Sequence, residues 1–227
     1  MIIANVKKTL KRRKLFLFLK FPVVHLQSIM REKILDKAGE MFLNLGFKSV
    51  TMDDIANEMG VSKKTIYAHY KNKTELIIEV TDSLFCTISE GIDVIHEQQK
   101  NPIIELFDIK RFVMEHLKNE KSSPQYQLQK YYPNIFQGLK KKQFEFMQNS
   151  IKENLERGLE QELFRTNINT EFISRIYFFG MMAIKDDELF PESQFSKVEL
   201  MDNYLEYHLK GICTQKGIEV IEKQLMN

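Results

Sequence analysis

Two cysteines in 227 residues, Cys86 and Cys213, are too few and too far apart for a disulfide framework or a thiolate zinc site, which suits a reducing cytoplasm. Glycine-rich phosphate loops are missing, as are G-x-S-x-G, H-E-x-x-H and any Cys/His cluster at metal spacing. The histidines, His25, His69, His96, His116 and His208, are scattered, and the adjacent acids Asp53 and Asp54 are explained by helix capping. An enzyme is therefore not expected, and neither is a cofactor or a metal. No stretch alternates apolar and polar residues with period two, so the expected fold class is all-α.

What the sequence does hold is unevenly distributed charge and 43% apolar residues, enough for a real core. Residues 1–28 carry seven Lys or Arg and no acid; residues 29–75 carry eight basic and seven acidic; residues 76–227 carry 18 basic against 24 acidic. A basic front and an acidic remainder fit a chain with one nucleic-acid end. The first 28 residues combine basic and apolar character, but Lys20 and Pro22 interrupt the apolar patch, no small-residue cleavage site follows, and the patch is too short to span a bilayer. The preferred reading is a disordered extension ahead of a true start at Met30. A basic arm touching phosphates and a membrane anchor are the alternatives.

The densest signal runs from Thr51 to Leu76, TMDDIANEMGVSKKTIYAHYKNKTEL. Thr51 with Asp54 three residues on is a capping box opening a short helix, and Gly60 ends it where a sharp turn needs positive φ. Ser62 caps a second helix, Lys63 to about Tyr70. Ile55, Met59, Val61 and Ile66 supply buried faces, and Ala56 is the small residue needed where two helices cross closely. Upstream, Ile34, Leu35, Ala38, Met41, Phe42 and Leu45 make one face of a helix expected from Ser28 to Gly46, closing a three-helix core. Arg31 at its start is either a phosphate or minor-groove contact or a solvated side chain. The second short helix concentrates donors and rings, so it can enter a major groove, with Lys63 and Lys64 reaching guanine or phosphate and Thr65 a thymine methyl or a phosphate.

The run IANEMGVSKKTIYAHYKNKTEL resembles the DNA-binding signature of the tetracycline-repressor (TetR) family of bacterial regulators, over about residues 29–76. Lys64 stands where many members carry glycine, which bears on the bases read. The resemblance implies that Tyr67 and Lys73 bind the phosphate backbone and that His69 lies near it. The expected DNA-facing set is Thr51, Ser62, Lys63, Lys64, Thr65, Tyr67, His69, Tyr70 and Lys73. The expected partner is double-stranded DNA, bound by a homodimer, with a small-molecule ligand and no membrane.

Asn72 and Glu75 form a second capping box opening a long helix through about Gln99. Asn101-Pro102 and Ser123-Pro124 mark later helix starts, and Pro133 breaks one helix and opens another running to about Leu163. Phe107, Tyr126, Tyr131, Tyr132, Phe136, Phe144 and Met147 crowd this middle section, either as ordinary core or, as the resemblance favours, as the lining of a ligand pocket. The helix from Glu171 to about Asp186 is more apolar than one face requires, and a last helix is expected from Lys197 to Lys210. Phe172, Ile176, Phe179, Met182, Leu200, Tyr204 and Tyr207 on these two helices are the expected dimer interface. The expected organisation is thus an extension (1–28), a helix-turn-helix DNA-binding domain (29–75) and a helical ligand-binding and dimerisation domain (76–227). A ligand-responsive regulator is the leading function, and a ligand-independent DNA-binding dimer that organises chromosomes is the alternative.

Overall fold

The computed structural model describes residues 22–117 and 124–226. The basic segment before Pro22, with its three readings, lies outside the described residues. Ten α-helices account for the fold among those described: α1 (Pro22–Leu45), α2 (Met52–Glu58), α3 (Lys63–His69), α4 (Lys73–His96), α5 (Pro102–Leu117), α6 (Pro124–Tyr131), α7 (Pro133–Glu160), α8 (Thr170–Ala183), α9 (Lys197–Ile212) and α10 (Gln215–Leu225). The chain is all-α, and no helix among the described residues is long and apolar enough to cross a membrane. The first helix begins at Pro22, six residues before the expected Ser28; proline at a first helical position gives up an N–H that has no helical partner anyway. The expected sequence also ends one helix early. Thr214 caps α10 by accepting from the Gly217 amide, and Ile221 is its fully buried anchor.

The chain packs as two units. One holds the described residues up to Gly91 together with 116–139; the other holds Ile92–Glu115 and Lys140 onward. This division does not coincide with the expected boundary at residue 75, for a local reason: α6 belongs with the helix-turn-helix. Gln127 Oε1 accepts the Lys48 amide at 3.2 Å, and a Cβ on Gly46, whose φ is +91°, would overlap the Gln127 side chain. Gly46 thus answers both a backbone and a packing demand.

In the first unit Ile34, Ala38, Phe42, Phe47, Ile55, Ile66, Leu76 and Ile77 form a core that excludes water almost entirely. Phe42 stacks on Phe47, their centroids 5.2 Å apart. Leu45, expected on the buried stripe, is 60% exposed at the C-terminus of α1.

The second unit has its own core, in which Ile103, Leu106, Phe107, Leu155, Phe164, Tyr177, Leu205 and Leu209 pack together. A polar network is set into this unit. The Glu105 carboxylate, 1% exposed, accepts from Asn154 Nδ2 at 2.9 Å and Arg157 Nη2 at 2.5 Å, with His96 Nδ1 at 3.2 Å. His96 Nε2 faces Glu153 at 3.1 Å. Burying a carboxylate is tolerated only with such partners.

His208 on α9 is buried against the rings of Tyr177 and Tyr204, 4.7 and 6.1 Å away between centroids. Burial pushes its pKa down from 6.5 to about 4. Between these values the unfolded chain holds a proton that the folded chain refuses, so stability falls as pH drops below 6.5. Urea denaturation should show a loss on the order of 2 kcal/mol from this group by about pH 5, and His208→Gln should remove that component of the slope. Identical pH slopes for parent and variant would contradict it.

Candidate nucleic-acid interface

The turn between α2 and α3 is built as its residues require. Thr51 Oγ1 accepts the Asp54 amide while the Asp54 carboxylate accepts from the Thr51 amide and hydroxyl, so both halves of the capping box form. These bonds hold the Asp54 pKa below the usual carboxylate range. Gly60 takes φ +65° with open space around it, and the Val61 amide returns to the Ala56 carbonyl at 3.0 Å. Ser62 caps α3 by accepting the Thr65 amide at 3.1 Å. Ile66 is buried without remainder and pins α3 from beneath.

With Ile66 pointing inward, the other side of α3 faces water. Thr51, Ser62, Lys63, Lys64 and Tyr67 are exposed, and Thr65, His69 and Lys73 are half-buried. The two lysines that open α3 differ. Lys63 Nζ lies 2.8 Å from Asp53 Oδ1 and 5.8 Å from the centre of the Tyr67 ring, which offsets the unfavourable placement of a cation at a helix N-terminus. Lys64 is exposed and forms no ion pair among the described residues. The Thr65 hydroxyl shares a 2.8 Å hydrogen bond with Ser62. Lys73, at the start of α4, donates to the Lys48 carbonyl at 3.1 Å, and its pKa is lowered by desolvation.

One expectation for this face needs correction, and the partners of Arg31 become visible. Tyr70 cannot present itself to DNA: it is fully buried at the C-terminus of α3, beneath the Arg31 guanidinium, whose Cζ lies 4.4 Å from the ring centre. Arg31 is not merely solvated but is held within the first unit. Its Nε donates to Glu79 Oε1 at 3.1 Å and its Nη1 to the His69 carbonyl at 2.7 Å, tying α1 to the end of α3 and to α4. Of the carboxylates that engage Arg31 and Lys63, Glu79 was not singled out from the sequence and Asp53 was read only as a capping acid. An acid ten residues before a lysine carries no local signal.

The residues expected to line a pocket belong to both packing units. Tyr126, Tyr131, Tyr132 and Phe136 belong to the first unit, and Phe107, Phe144 and Met147 to the second. Phe107 is closely packed core, whereas Tyr126 and Tyr131 are 40% and 38% exposed. A recess of about 580 Å³ in the first unit is lined by Asn72, Thr74, Glu75, Ile78, Glu79 and Asp82. Aromatic content marked the section without marking which rings turn inward.

The surplus apolar surface on α8 is real. Tyr177 and Phe178 face the unit's own core, while Phe172, Ile176 and Phe179 are 58%, 45% and 57% exposed along the other side. Tyr207 on α9 is 78% exposed, and Met182 and Leu200 are half-buried. Tyr204 departs from the expected interface: its hydroxyl donates to the Ile176 and Tyr177 carbonyls at 3.1 and 3.0 Å, so it fastens α9 to α8 within the chain.

Comparisons with known proteins agree with this geometry. The family described as "Bacterial regulatory proteins, tetR family" matches residues 34–80, the whole of α2 and α3 with the adjoining parts of α1 and α4. The biofilm operon icaADBC HTH-type negative transcriptional regulator IcaR of Staphylococcus epidermidis is 34% identical over 56 residues, 25% of this chain and 30% of that protein. The HTH-type transcriptional activator FasR of Mycolicibacterium smegmatis is 40% identical over 62 residues, 27% of this chain and 28% of its own. These matches thus span about a third or less of each relative's length. A TetR-family regulator from Agrobacterium tumefaciens has a similar fold, with a TM-score of 0.68 at 15% identity over 83% of this chain and all of the other. At that identity the likeness speaks for the fold alone.

Proposed function

Because this chain belongs to the TetR family of bacterial transcriptional regulators, we propose that it binds a pseudo-palindromic operator as a homodimer and is released by a small molecule. The observation that carries the DNA reading is α3 itself: a two-turn helix anchored by Ile66, with Ser62, Lys63, Lys64 and Tyr67 turned to solvent. Such a helix enters a major groove with its first turn against the base edges. Lys64 supplies donors to guanine or phosphate, and Tyr67 and Lys73 supply phosphate contacts. Lys63 joins them by exchanging the Asp53 carboxylate for a phosphate oxygen.

The dimer is supported by the uncovered row Phe172, Ile176 and Phe179, which a second copy would bury. Two heads would then meet successive grooves about 34 Å apart. A ligand acts on this arrangement only through differential affinity, and a useful inducer needs about 3 kcal/mol or more of preference for the non-binding arrangement. The relatives include both a negative regulator and an activator, so the sign of regulation is not tied to the shared head.

The test is fluorescence anisotropy on a duplex selected in vitro by the purified protein. Lys64→Ala should weaken binding by about 1–3 kcal/mol, and Tyr67→Phe by about 1 kcal/mol with little change in base preference. Lys63→Ala should cost less than Lys64→Ala, because it also releases the Asp53 pair. Unchanged affinity in Lys64→Ala and Tyr67→Phe together would remove α3 from the interface. An affinity for DNA that no metabolite extract alters would favour the ligand-independent DNA-binding dimer.

A further inference from the structure

A second cationic surface adjoins the helix-turn-helix within the first unit. Lys73 Nζ donates to the Lys48 carbonyl at 3.1 Å. Lys48 Nζ sits 4.7 Å from the centre of the Tyr131 ring, and Lys130 Nζ lies 5.7 Å from that ring and 5.2 Å from the Tyr126 ring, donating to the Tyr126 hydroxyl at 2.9 Å. Lys73, Lys48 and Lys130 thus form a continuous row interleaved with two half-exposed phenols. The row starts at a residue of the α3 face and leads away from it along α6. The Asp54 carboxylate, which is occupied by the Thr51 cap, acts electrostatically on Lys73. α6 itself carries no acid.

The row is held to the head. The Gln127 bond to the Lys48 amide and the fit of Gln127 against Gly46 fix α6 on the loop that precedes the Thr51 cap. Ammonium groups spaced by phenol rings are suited to a phosphate backbone: lysine neutralises the phosphate charge, and tyrosine adds a hydroxyl donor without reading a base. An RNA single strand would call for rings stacked on bases; here both rings are already covered on one side by lysine.

We propose that Lys48, Lys130, Tyr126 and Tyr131 bind the phosphate backbone of duplex DNA beyond the bases read by α3, so that α6 is an accessory DNA-binding element. The proposal rests on the DNA reading of α3 and adds a contact region to it. Each phosphate neutralised on B-DNA contributes about 0.9 to the slope of log affinity against log salt, or about threefold in affinity between about 50 and 200 mM salt.

The experiment compares two forms of the in-vitro-selected duplex, trimmed to its core and extended by about one helical turn (about 10 bp) at each end. The parent should show a steeper salt slope on the extended duplex, by about 0.9 for each of Lys48 and Lys130 per protomer. Lys48→Gln with Lys130→Gln should abolish that difference while leaving core-duplex affinity unchanged. Lys130→Glu should bind the extended duplex more weakly than the core, and unchanged thermal melting of each variant shows that the fold is kept. Equal slopes on both duplexes for the parent, or a double variant that keeps the difference, would overturn this proposal and leave α3 untouched. A parent that binds neither duplex would overturn the DNA reading and this proposal with it.

Discussion

Replacing Phe179 by Glu, together with Ile176→Glu, is expected to convert the protein to a monomer at micromolar concentration and to lower its apparent operator affinity by about 100-fold or more. Phe179 and Ile176 stand outward on α8, 57% and 45% exposed, on the side opposite the buried Tyr177 and Phe178. Neither substitution opens a cavity, so melting of the monomeric unit should change little. What is lost is the pairing of two heads. A dimer binds its second half-site intramolecularly, and that advantage is commonly worth two to four powers of ten, roughly. Sedimentation velocity reads the oligomer, and anisotropy with a full operator against a half-site reads the affinity. A variant that stays dimeric would place the interface elsewhere; a monomer that binds the full operator as tightly as the parent would sink the two-headed arrangement.

Glu105→Ala should be the most destabilising single change in the second unit, costing about 3–5 kcal/mol and lowering Tm by roughly 10 °C. The reason is what it strands. Arg157 Nη2, Asn154 Nδ2 and His96 Nδ1 all converge on this one buried carboxylate. Removing it leaves a mostly buried guanidinium uncompensated, which costs more than the pair was worth. Nor is there slack nearby, since Asn154 Oδ1 and Arg157 Nε are already buried without a hydrogen-bond partner among the described residues. The double variant Glu105→Leu with Arg157→Met should be more stable than Glu105→Ala, because it removes both charges at once. Chemical denaturation of the single and double variants completes the cycle; additive losses would show that the two groups do not interact.

Both expectations bear on how the functional parts divide the molecule. The residues proposed to face DNA belong to the first packing unit, the outward apolar row to the second, and α4 contributes residues to both. The capping and turn chemistry that aims α3 is entirely local. That locality fits an element whose exposed side chains, proposed to read bases, can change without disturbing the core beneath Ile66.

The local features were determined by the sequence alone. The Thr51–Asp54 box, Gly60 and Ser62 identify the helix-turn-helix, because each acts through close neighbours in the chain and needs no tertiary partner to be recognised, and Ile66 is legible from its spacing as the anchor of the second helix. The excess apolar surface of α8 was equally visible, since periodicity counts faces. Tertiary structure alone decided the pairings across the fold. It put Tyr70 in the core under Arg31, gave Arg31 to Glu79 and Lys63 to Asp53, laid α6 on the Gly46–Lys48 loop, and divided the aromatic residues of the middle section between two units. These outcomes depend on which helix crosses which, and an isolated ring or charge carries the same local signal whether it ends in solvent, in a core or against an ion partner forty residues away.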